Sequence, residues 1–301
     1  MLGAGQQAYL MIQSFISNLF PQRDNGSNEA TQPVSQRSGL EAGGASRGDG
    51  RVSFGFSLMR GKRPTMEDFY DAQFKTHPSG EEVGFFGVFD GHGGADAANY
   101  VRLNLFNNMM KHPHFMSRPE TAVDEAYLQT DMKYLQDQGP GRDDGCTAVT
   151  AVIVGRTLVV ANVGDSRAVL CREGKAFQLS IDHKPNEIGE KQRIENLGGM
   201  VVWAGTWRVG GVLAVSRAFG DRPLKRYVVA EPDTCSQQLS PIDEFLILAS
   251  DGLWDVVSNE EAVMIAREIP NPQKAAAHLS EVALNRGSND NISCVVVRFK
   301  F

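Results

Sequence analysis

Residues 83–94 read VGFFGVFDGHGG, an apolar run of β-branched and aromatic side chains that ends in an acid and a glycine-rich turn. Comparable runs occur at 146–165 (CTAVTAVIVGRTLVVANVGD), 167–180 (RAVLCREGKAFQLS) and 244–251 (EFLILASD). Their composition and their Gly or Asp boundaries predict buried strands. The strands come in blocks rather than alternating with helices, which favours a sandwich with helices over a parallel, doubly wound sheet.

Helices are predicted at three places outside these runs. Ala98, Val101, Leu105 and Met109 recur at helical spacing. Ser258 and Glu261 make a capping-box pattern ahead of AVMIAREI, and Asn271-Pro272 opens a stretch that Gly287 closes. The last run, ISCVVVRF, predicts a final strand, and Glu173-Gly174-Lys175 predicts a hairpin turn between two strands.

The composition excludes several classes of protein. With 301 residues and 42% hydrophobic content, the chain can bury a sizeable core. It has 36 acidic and 30 basic residues, for a net charge of −6, so we expect no nucleic acid partner. Its cysteines, Cys146, Cys171, Cys235 and Cys294, form no CxxC pair, which argues against a zinc site or disulfide scaffold. We therefore expect a reducing compartment, cytoplasmic and/or nuclear.

The first fifty residues differ in composition from the rest. Tyr9, Ile12, Ile16, Leu19 and Phe20 recur at helical spacing, so residues 1–20 predict an amphipathic segment, with a frayed arm as the alternative. This stretch is too polar to span a membrane. Residues 21–50, rich in Gly, Ser and Pro, predict a flexible linker. We expect a single domain over residues 51–301.

Three aspartates occupy the ends of predicted strands. Asp90 ends VGFFGVF, Asp251 ends EFLILAS, and Asp290 precedes the last strand. Carboxylates that converge at the rim of a core repel one another unless a hard divalent cation neutralises them. Oxygen ligands select Mg²⁺ or Mn²⁺ over zinc. A single Asp-Gly is usually a turn or helix cap, but three such sites together favour a metal site.

The order of seven motifs resembles one known family. RGKRPTMED, VFDGHGG, ANVGDSRAVL, DHKP, GVLAVSRAFGD, ASDGLWD and GSNDNISCVVV follow one another between residues 60 and 297. In this order they are similar to the metal-dependent protein phosphatases of type 2C, most closely the plant members. The resemblance implies an α+β fold, a four-layer α-β-β-α sandwich in which helices flank two central, mainly antiparallel β-sheets.

The resemblance also implies roles for particular residues. Asp90 would bridge two Mg²⁺ or Mn²⁺ ions, Gly91 would add its carbonyl oxygen, and Asp251 and Asp290 would complete the metal shell. Glu67 and Asp68 would hold metal-bound waters, directly or through a neighbour. Asp165 matches an acid that family members use for a weaker third metal ion.

The implied reaction is hydrolysis of phosphoserine and phosphothreonine in protein substrates by direct attack of a water activated by two metal ions. Arg63 would bind the substrate phosphate, and His92 would protonate the leaving oxygen. No CxxxxxR phosphate-binding loop surrounds a cysteine, which argues against a cysteine nucleophile.

Two alternative functions share these features. A regulatory pseudophosphatase would use the same fold as a binding module, but it would be expected to lose Asp90, Asp251 or Asp290, and all three are present. A metal-dependent nuclease or nucleotidase should bring a basic groove, which the acidic balance does not favour.

Some weaker signals remain outside the metal set. Trp203 and Trp207 lie where the resemblance places a mobile flap, and an exposed aromatic there would suit a regulatory protein; core packing of at least one is the alternative. His183 is expected to be a turn histidine bonded to the backbone, with a functional role as the alternative. Asp221 and Arg222 are expected in a solvated turn. We expect a monomer.

Overall fold

Two antiparallel sheets form the centre of the molecule. The computed structural model describes residues 40–137, 139 and 142–301. The first sheet has the strand order β1 (Leu40–Ser46), β2 (Val52–Met59), β14 (Ile292–Phe299), β13 (Asp243–Ala249), β7 (Arg167–Arg172) and β8 (Lys175–Gln178). The second has the order β12 (Asp233–Gln238), β6 (Thr157–Val163), β5 (Gly145–Val154), β4 (Glu82–His92) and β3 (Phe69–Thr76), and β11 (Phe219–Gly220) pairs with β5.

Helices cover the outer face of each sheet. The helices α1 (Asp96–Lys111) and α2 (Pro119–Asp137) pack on the second sheet. The helices α4 (Asp251–Trp254), α5 (Asn259–Arg267) and α6 (Pro272–Asn285) pack on the first. The helix α3 (Ile188–Asn196) packs against a small hairpin of β9 (Val201–Trp203) and β10 (Trp207–Val209). A 3-10 turn spans Arg222–Leu224. No helix in the described part of the chain is long and apolar enough to cross a membrane.

The core consists of three apolar layers, because the strands are buried on both faces. On β4, Phe86 and Val88 point between the two sheets, whereas Phe85 and Phe89 point towards α1 and α2. The other central strands follow the same two-residue period. This arrangement explains why their sequences are nearly continuous apolar runs. The predicted four-layer α-β-β-α sandwich is confirmed.

The predicted helix caps and the predicted hairpin turn are present in the structure. Ser258 Oγ accepts from the Glu261 N–H while the Glu261 side chain accepts from the Ser258 N–H, so the capping box at the start of α5 is complete. Asn271 caps α6 through the Lys274 N–H. The hairpin between β7 and β8 turns at Glu173 and Gly174, both with positive φ, as two-residue hairpin turns require.

The predicted linker is wrong at its C-terminal end. Residues 40–46 form β1, which pairs with β2 along its whole length, from Leu40 opposite Met59 to Ser46 opposite Ser53. Leu40 also packs against the cluster beneath α5 and α6. Residues 40–46 therefore belong to the domain predicted to begin at residue 51, because backbone pairing orders a stretch with few apolar side chains. The segments predicted at 1–20 and 21–39 lie outside the described residues.

Removing β1 should destabilise the domain. We compare a chain that starts at Leu40 with one that starts at Gly48. The shorter chain should melt lower by about 5 °C, since a loss of about 2 kcal/mol shifts the melting temperature of a domain of this size by roughly 2–4 °C per kcal/mol. Calorimetry of both chains measures the difference. Equal melting temperatures would show that β1 pairs without stabilising the sheet.

Candidate active site

The ends of four strands bring the predicted carboxylates to one edge of the sandwich. Asp90 lies near the end of β4, and Asp165 lies in the turn after β6, both in the second sheet. Asp251 is the first residue of α4, directly after β13, and Asp290 precedes β14, both in the first sheet. The metal site predicted from strand ends is therefore shared between the two sheets.

These residues surround a cavity of about 270 Å³. Its wall contains every predicted site residue except Asp68: Arg63, Glu67, Asp90, Gly91, His92, Asp165, Asp251 and Asp290. Arg208 and residues 213–215, which come from the segment around the β9–β10 hairpin, also line the cavity. The cavity is thus acidic on the side of the two sheets.

Three of the carboxylates are close enough to share one cation. One oxygen from each of Asp90, Asp165 and Asp251 lies within 4.8 Å of the others. Burial, followed by the charges of neighbouring aspartates, raises the pKa of Asp90 and of Asp251 well above the ordinary value. Asp251 Oδ1 is buried without a hydrogen-bond partner in the described residues. A converging set of carboxylates, one of which has an oxygen without a hydrogen-bond partner, suits a hard divalent ion.

Asp68 lies behind this cluster rather than in the cavity wall. Its Oδ2 accepts hydrogen bonds from Ser250 Oγ at 2.9 Å and Ser293 Oγ at 2.7 Å. Burial outweighs these bonds and raises the pKa of Asp68 to about 6. Asp68 thereby connects the start of β3 to the end of β13 and the start of β14, close in sequence to Asp251 and Asp290.

Asn291 holds the loop that carries Glu67. Its Oδ1 accepts from the Glu67 N–H at 2.8 Å, and its Nδ2 donates to the carbonyls of Arg60 and Thr65. The Glu67 carboxylate accepts from Thr65 Oγ1 and from the Gly94 N–H. A Cβ on Gly91 would lie 2.5 Å from the Glu67 carbonyl oxygen, so this loop can approach β4 only because residue 91 is glycine.

Arg63 contacts an acid in the cavity wall. Its Nη2 donates to Asp290 Oδ2 at 2.6 Å, and its Nε donates to the Asn289 carbonyl at 3.3 Å. The guanidinium group has five N–H donors, so several remain after these two contacts. The side chain is half exposed at the mouth of the cavity, where an anion can reach it.

His92 is paired with a residue that the sequence assigned to a solvated turn. Its Nε2 lies 3.0 and 2.9 Å from the two carboxylate oxygens of Asp221, which is only 5% exposed. Burial alone would lower the pKa of His92, but the hydrogen bond and charge of Asp221, with Asp165 and Asp144, raise it overall. The prediction for Asp221 is therefore wrong, because β11 packs against β5 and buries the residue that follows it.

Lys184 and His183 hold the turn that contains Asp165. Lys184 Nζ lies 2.5 Å from Asp165 Oδ2. His183 Nδ1 accepts from the Gly164 N–H at 3.1 Å, and its Nε2 donates to Asp233 Oδ2 at 3.0 Å. Burial and the charge of Arg217 lower the pKa of His183, which fits a neutral ring. The predicted turn histidine bonded to the backbone is confirmed.

The two tryptophans differ in exposure. Trp203 is 65% exposed, whereas Trp207 packs against the small apolar cluster of α3 and the β9–β10 hairpin. The two rings meet edge to face with centroids 5.6 Å apart. One tryptophan therefore belongs to a core and the other faces solvent.

Comparison with known proteins assigns the class. A profile of the family described as protein phosphatase 2C matches residues 52–292. A solved structure of serine-threonine phosphatase 2C from Toxoplasma gondii superposes with a TM-score of 0.76 at 28% identity, covering 86% of this chain and 99% of that chain. Fold, cavity and profile together define a metal-dependent protein serine/threonine phosphatase.

The chain belongs to the protein phosphatase 2C family. It is 55% identical over 271 residues to Probable protein phosphatase 2C 59 of Arabidopsis thaliana, covering 90% of this chain and 87% of that protein. It is 54% identical over 258 residues to Probable protein phosphatase 2C 45 of Oryza sativa subsp. japonica, covering 86% and 91%. The resemblance to plant members is thus confirmed.

The raised pKa of Asp90 predicts how pH affects the metal-free protein. As the pH rises above about 4, an ordinary unfolded carboxyl loses its proton before the folded Asp90 does, so this group increasingly destabilises the fold. Asp90→Asn is neutral at every pH. The melting temperature of the variant minus that of the wild type should therefore increase from pH 4 to pH 7 in the presence of chelator.

The matched control for this experiment is Asp71→Asn. Burial also raises the pKa of Asp71, to about 6, but Asp71 lies on β3 and hydrogen-bonds Gln73 outside the cavity. Added Mg²⁺ should reverse the advantage of Asp90→Asn and leave the effect of Asp71→Asn unchanged. A pH-independent difference for Asp90→Asn would show that its carboxylate is not under electrostatic stress.

Proposed function

We propose that this phosphatase hydrolyses phosphoserine and phosphothreonine with two Mg²⁺ or Mn²⁺ ions, and a weaker third, held at the cavity between the sheets. The observation that carries the proposal is the cluster of Asp90, Asp165 and Asp251, whose oxygens lie within 4.8 Å of one another. Without a cation, repulsion among these carboxylates destabilises the folded protein. A bound divalent ion would remove that repulsion, which supports a metal-binding function for the cluster.

The donors present fit divalent ions of this kind. Asp90, Asp251 and Asp290, with the Gly91 carbonyl, would hold two ions, and Glu67 and Asp68 would orient the waters around them. Asp165 would hold the third, in competition with the Lys184 ammonium group that it now contacts. Bound ions of this type neutralise the phosphoryl oxygens and make water a stronger nucleophile at neutral pH.

The protein itself supplies phosphate binding and a proton. Arg63 would bind phosphoryl oxygens with the guanidinium donors that Asp290 and Asn289 leave open. Its contact with Asp290 places that charge beside the carboxylates that hold the ions. His92, with a raised pKa and a position in the cavity wall, would donate a proton to the departing serine or threonine oxygen.

The proposal extends to the substrates, the oligomeric state, the compartment and a regulatory partner. We expect the substrates to be phosphorylated proteins, and the protein to act as a monomer in the cytoplasm and/or nucleus. The exposed Trp203, on the hairpin that contributes Arg208 to the cavity wall, would suit a regulatory protein that covers the site. The pseudophosphatase alternative is not favoured, because the carboxylates that such a protein could lose are all assembled here.

Hydrolysis of a phosphothreonine peptide tests reaction class and metal requirement together. Phosphate release should require added Mn²⁺ or Mg²⁺ and stop with chelator. Asp90→Asn and Asp251→Asn should each lower the rate by on the order of 10²-fold or more, since each removes a charged ligand. The control Asp71→Asn should keep the wild-type rate. Full activity of metal-stripped protein, or hydrolysis of nucleotides in preference to the peptide, would contradict the proposal.

Substitution of His92 tests the source of the proton. A serine or threonine alkoxide needs a proton to leave, whereas nitrophenolate, with a pKa of about 7, hardly does. His92→Ala should slow the phosphothreonine peptide on the order of 10²-fold and affect p-nitrophenyl phosphate much less. His278→Ala, on α6 away from the cavity, is the control. If the rates of His92→Ala on both substrates fell equally and excess Mn²⁺ restored them, His92 would instead be a residue that only supports metal binding.

A further inference from the structure

Asp221 combines three unusual properties at one position. It is almost completely buried, and both of its carboxylate oxygens lie within hydrogen-bond distance of His92 Nε2. Its backbone has φ +49° and ψ +47°, the left-handed region that glycine adopts most readily and that residues other than glycine, Asp and Asn rarely occupy. In the described part of the chain, Asp221 forms its ion pair with His92. The nearby Lys225 forms its ion pair with Asp131 instead.

The contact determines how the imidazole ring of His92 is used. An ionised carboxylate can only accept hydrogen bonds, so Nε2 must carry the hydrogen that lies between the two residues. This leaves Nδ1 as the other ring nitrogen, and no described residue hydrogen-bonds it. Because His92 lines the cavity, Nδ1 is the atom available to exchange a proton with a substrate.

The surrounding backbone is arranged to make room for this pair. Gly145 lies opposite His92 in the β4–β5 ladder and opposite Gly220 in the β5–β11 ladder. A Cβ at residue 145 would lie 2.2 Å from Asp221 Oδ2 and 2.4 Å from His92 Nε2. The Asp221 N–H donates to the Asp144 carbonyl at 3.1 Å, which holds the strained residue in place.

Left-handed backbone at a residue other than glycine persists where the surrounding structure holds it. Here the imposed conformation brings a buried negative charge to a histidine 129 residues away in sequence. Asp131 nearby shows what a structural carboxylate looks like: it accepts from the Gly220 N–H and contacts Lys225, away from the predicted site residues.

We propose that Asp221 is a positioning residue for proton transfer, fixing the orientation of the His92 ring and directing Nδ1 towards the leaving group. The inference rests on the proposed role of His92 in phosphatase catalysis. Asp221 is not among the residues that line the cavity, so removing it should act only through His92 and should matter only where the leaving group needs a proton.

The experiment compares four variants on a phosphothreonine peptide and on p-nitrophenyl phosphate at saturating Mn²⁺. Asp221→Gly removes the carboxylate and tolerates the left-handed backbone, so it should fold. It should slow the peptide by about 10- to 100-fold, within the effect expected for a residue that orients a functional histidine. The rate on p-nitrophenyl phosphate should change by less than about threefold. Asp221→Asn keeps an oxygen acceptor for the His92 ring, so its rate on the peptide should fall less than that of Asp221→Gly.

The double variant Asp221→Gly/His92→Ala should be no slower than His92→Ala alone, because both changes remove the same proton transfer. Asp131→Asn, the fourth variant, should lower the melting temperature without any preference between substrates. Multiplied losses in the double variant, or equal losses of Asp221→Gly on both substrates, would overturn the proposal. A wild-type protein that hydrolyses neither substrate would instead refute the proposed function itself.

Discussion

The electrostatic repulsion among Asp90, Asp165 and Asp251 is the constraint on which the active site depends. Their carboxylates converge at the junction of two sheets, where burial strengthens repulsion as well as attraction. The fold opposes this repulsion with three apolar layers and offsets part of the charge through Lys184. The favourable free energy of apolar packing therefore holds together carboxylates whose mutual repulsion would otherwise separate them.

Much of the fold and of the metal site could be predicted, because the relevant signals are local. Apolar runs that end in Asp mark strands and the positions of Asp90 and Asp251, and Asp290 precedes the last apolar run. The capping box at Ser258 needs only four residues to be recognised. The first strand could not be predicted in this way, because residues 40–46 carry few apolar side chains and are ordered by pairing with β2.

The rest could not be predicted because it depends on partners that are distant in sequence. The helix α2 exposes Leu128 and Met132 and buries Thr130 and Asp131, which obscures its apolar period. Likewise, the motif containing Asp221 reads as a turn until β11 is placed beside β5. Asp221 follows the two-residue strand β11, and its role becomes apparent only when its contact with His92 is known.

The connection between Asp68 and Ser293 spans 225 residues of sequence, and β2 pairs with β14 over a similar separation. Contacts of such long range carry a large loop-closure entropy and slow the folding of β-rich domains. During synthesis, a chain that has emerged only as far as α4 contains Asp90 and Asp251 but neither Asp290 nor β14. The first sheet therefore closes late, and the acidic site reaches its full complement of ligands only when nearly the whole domain has left the ribosome.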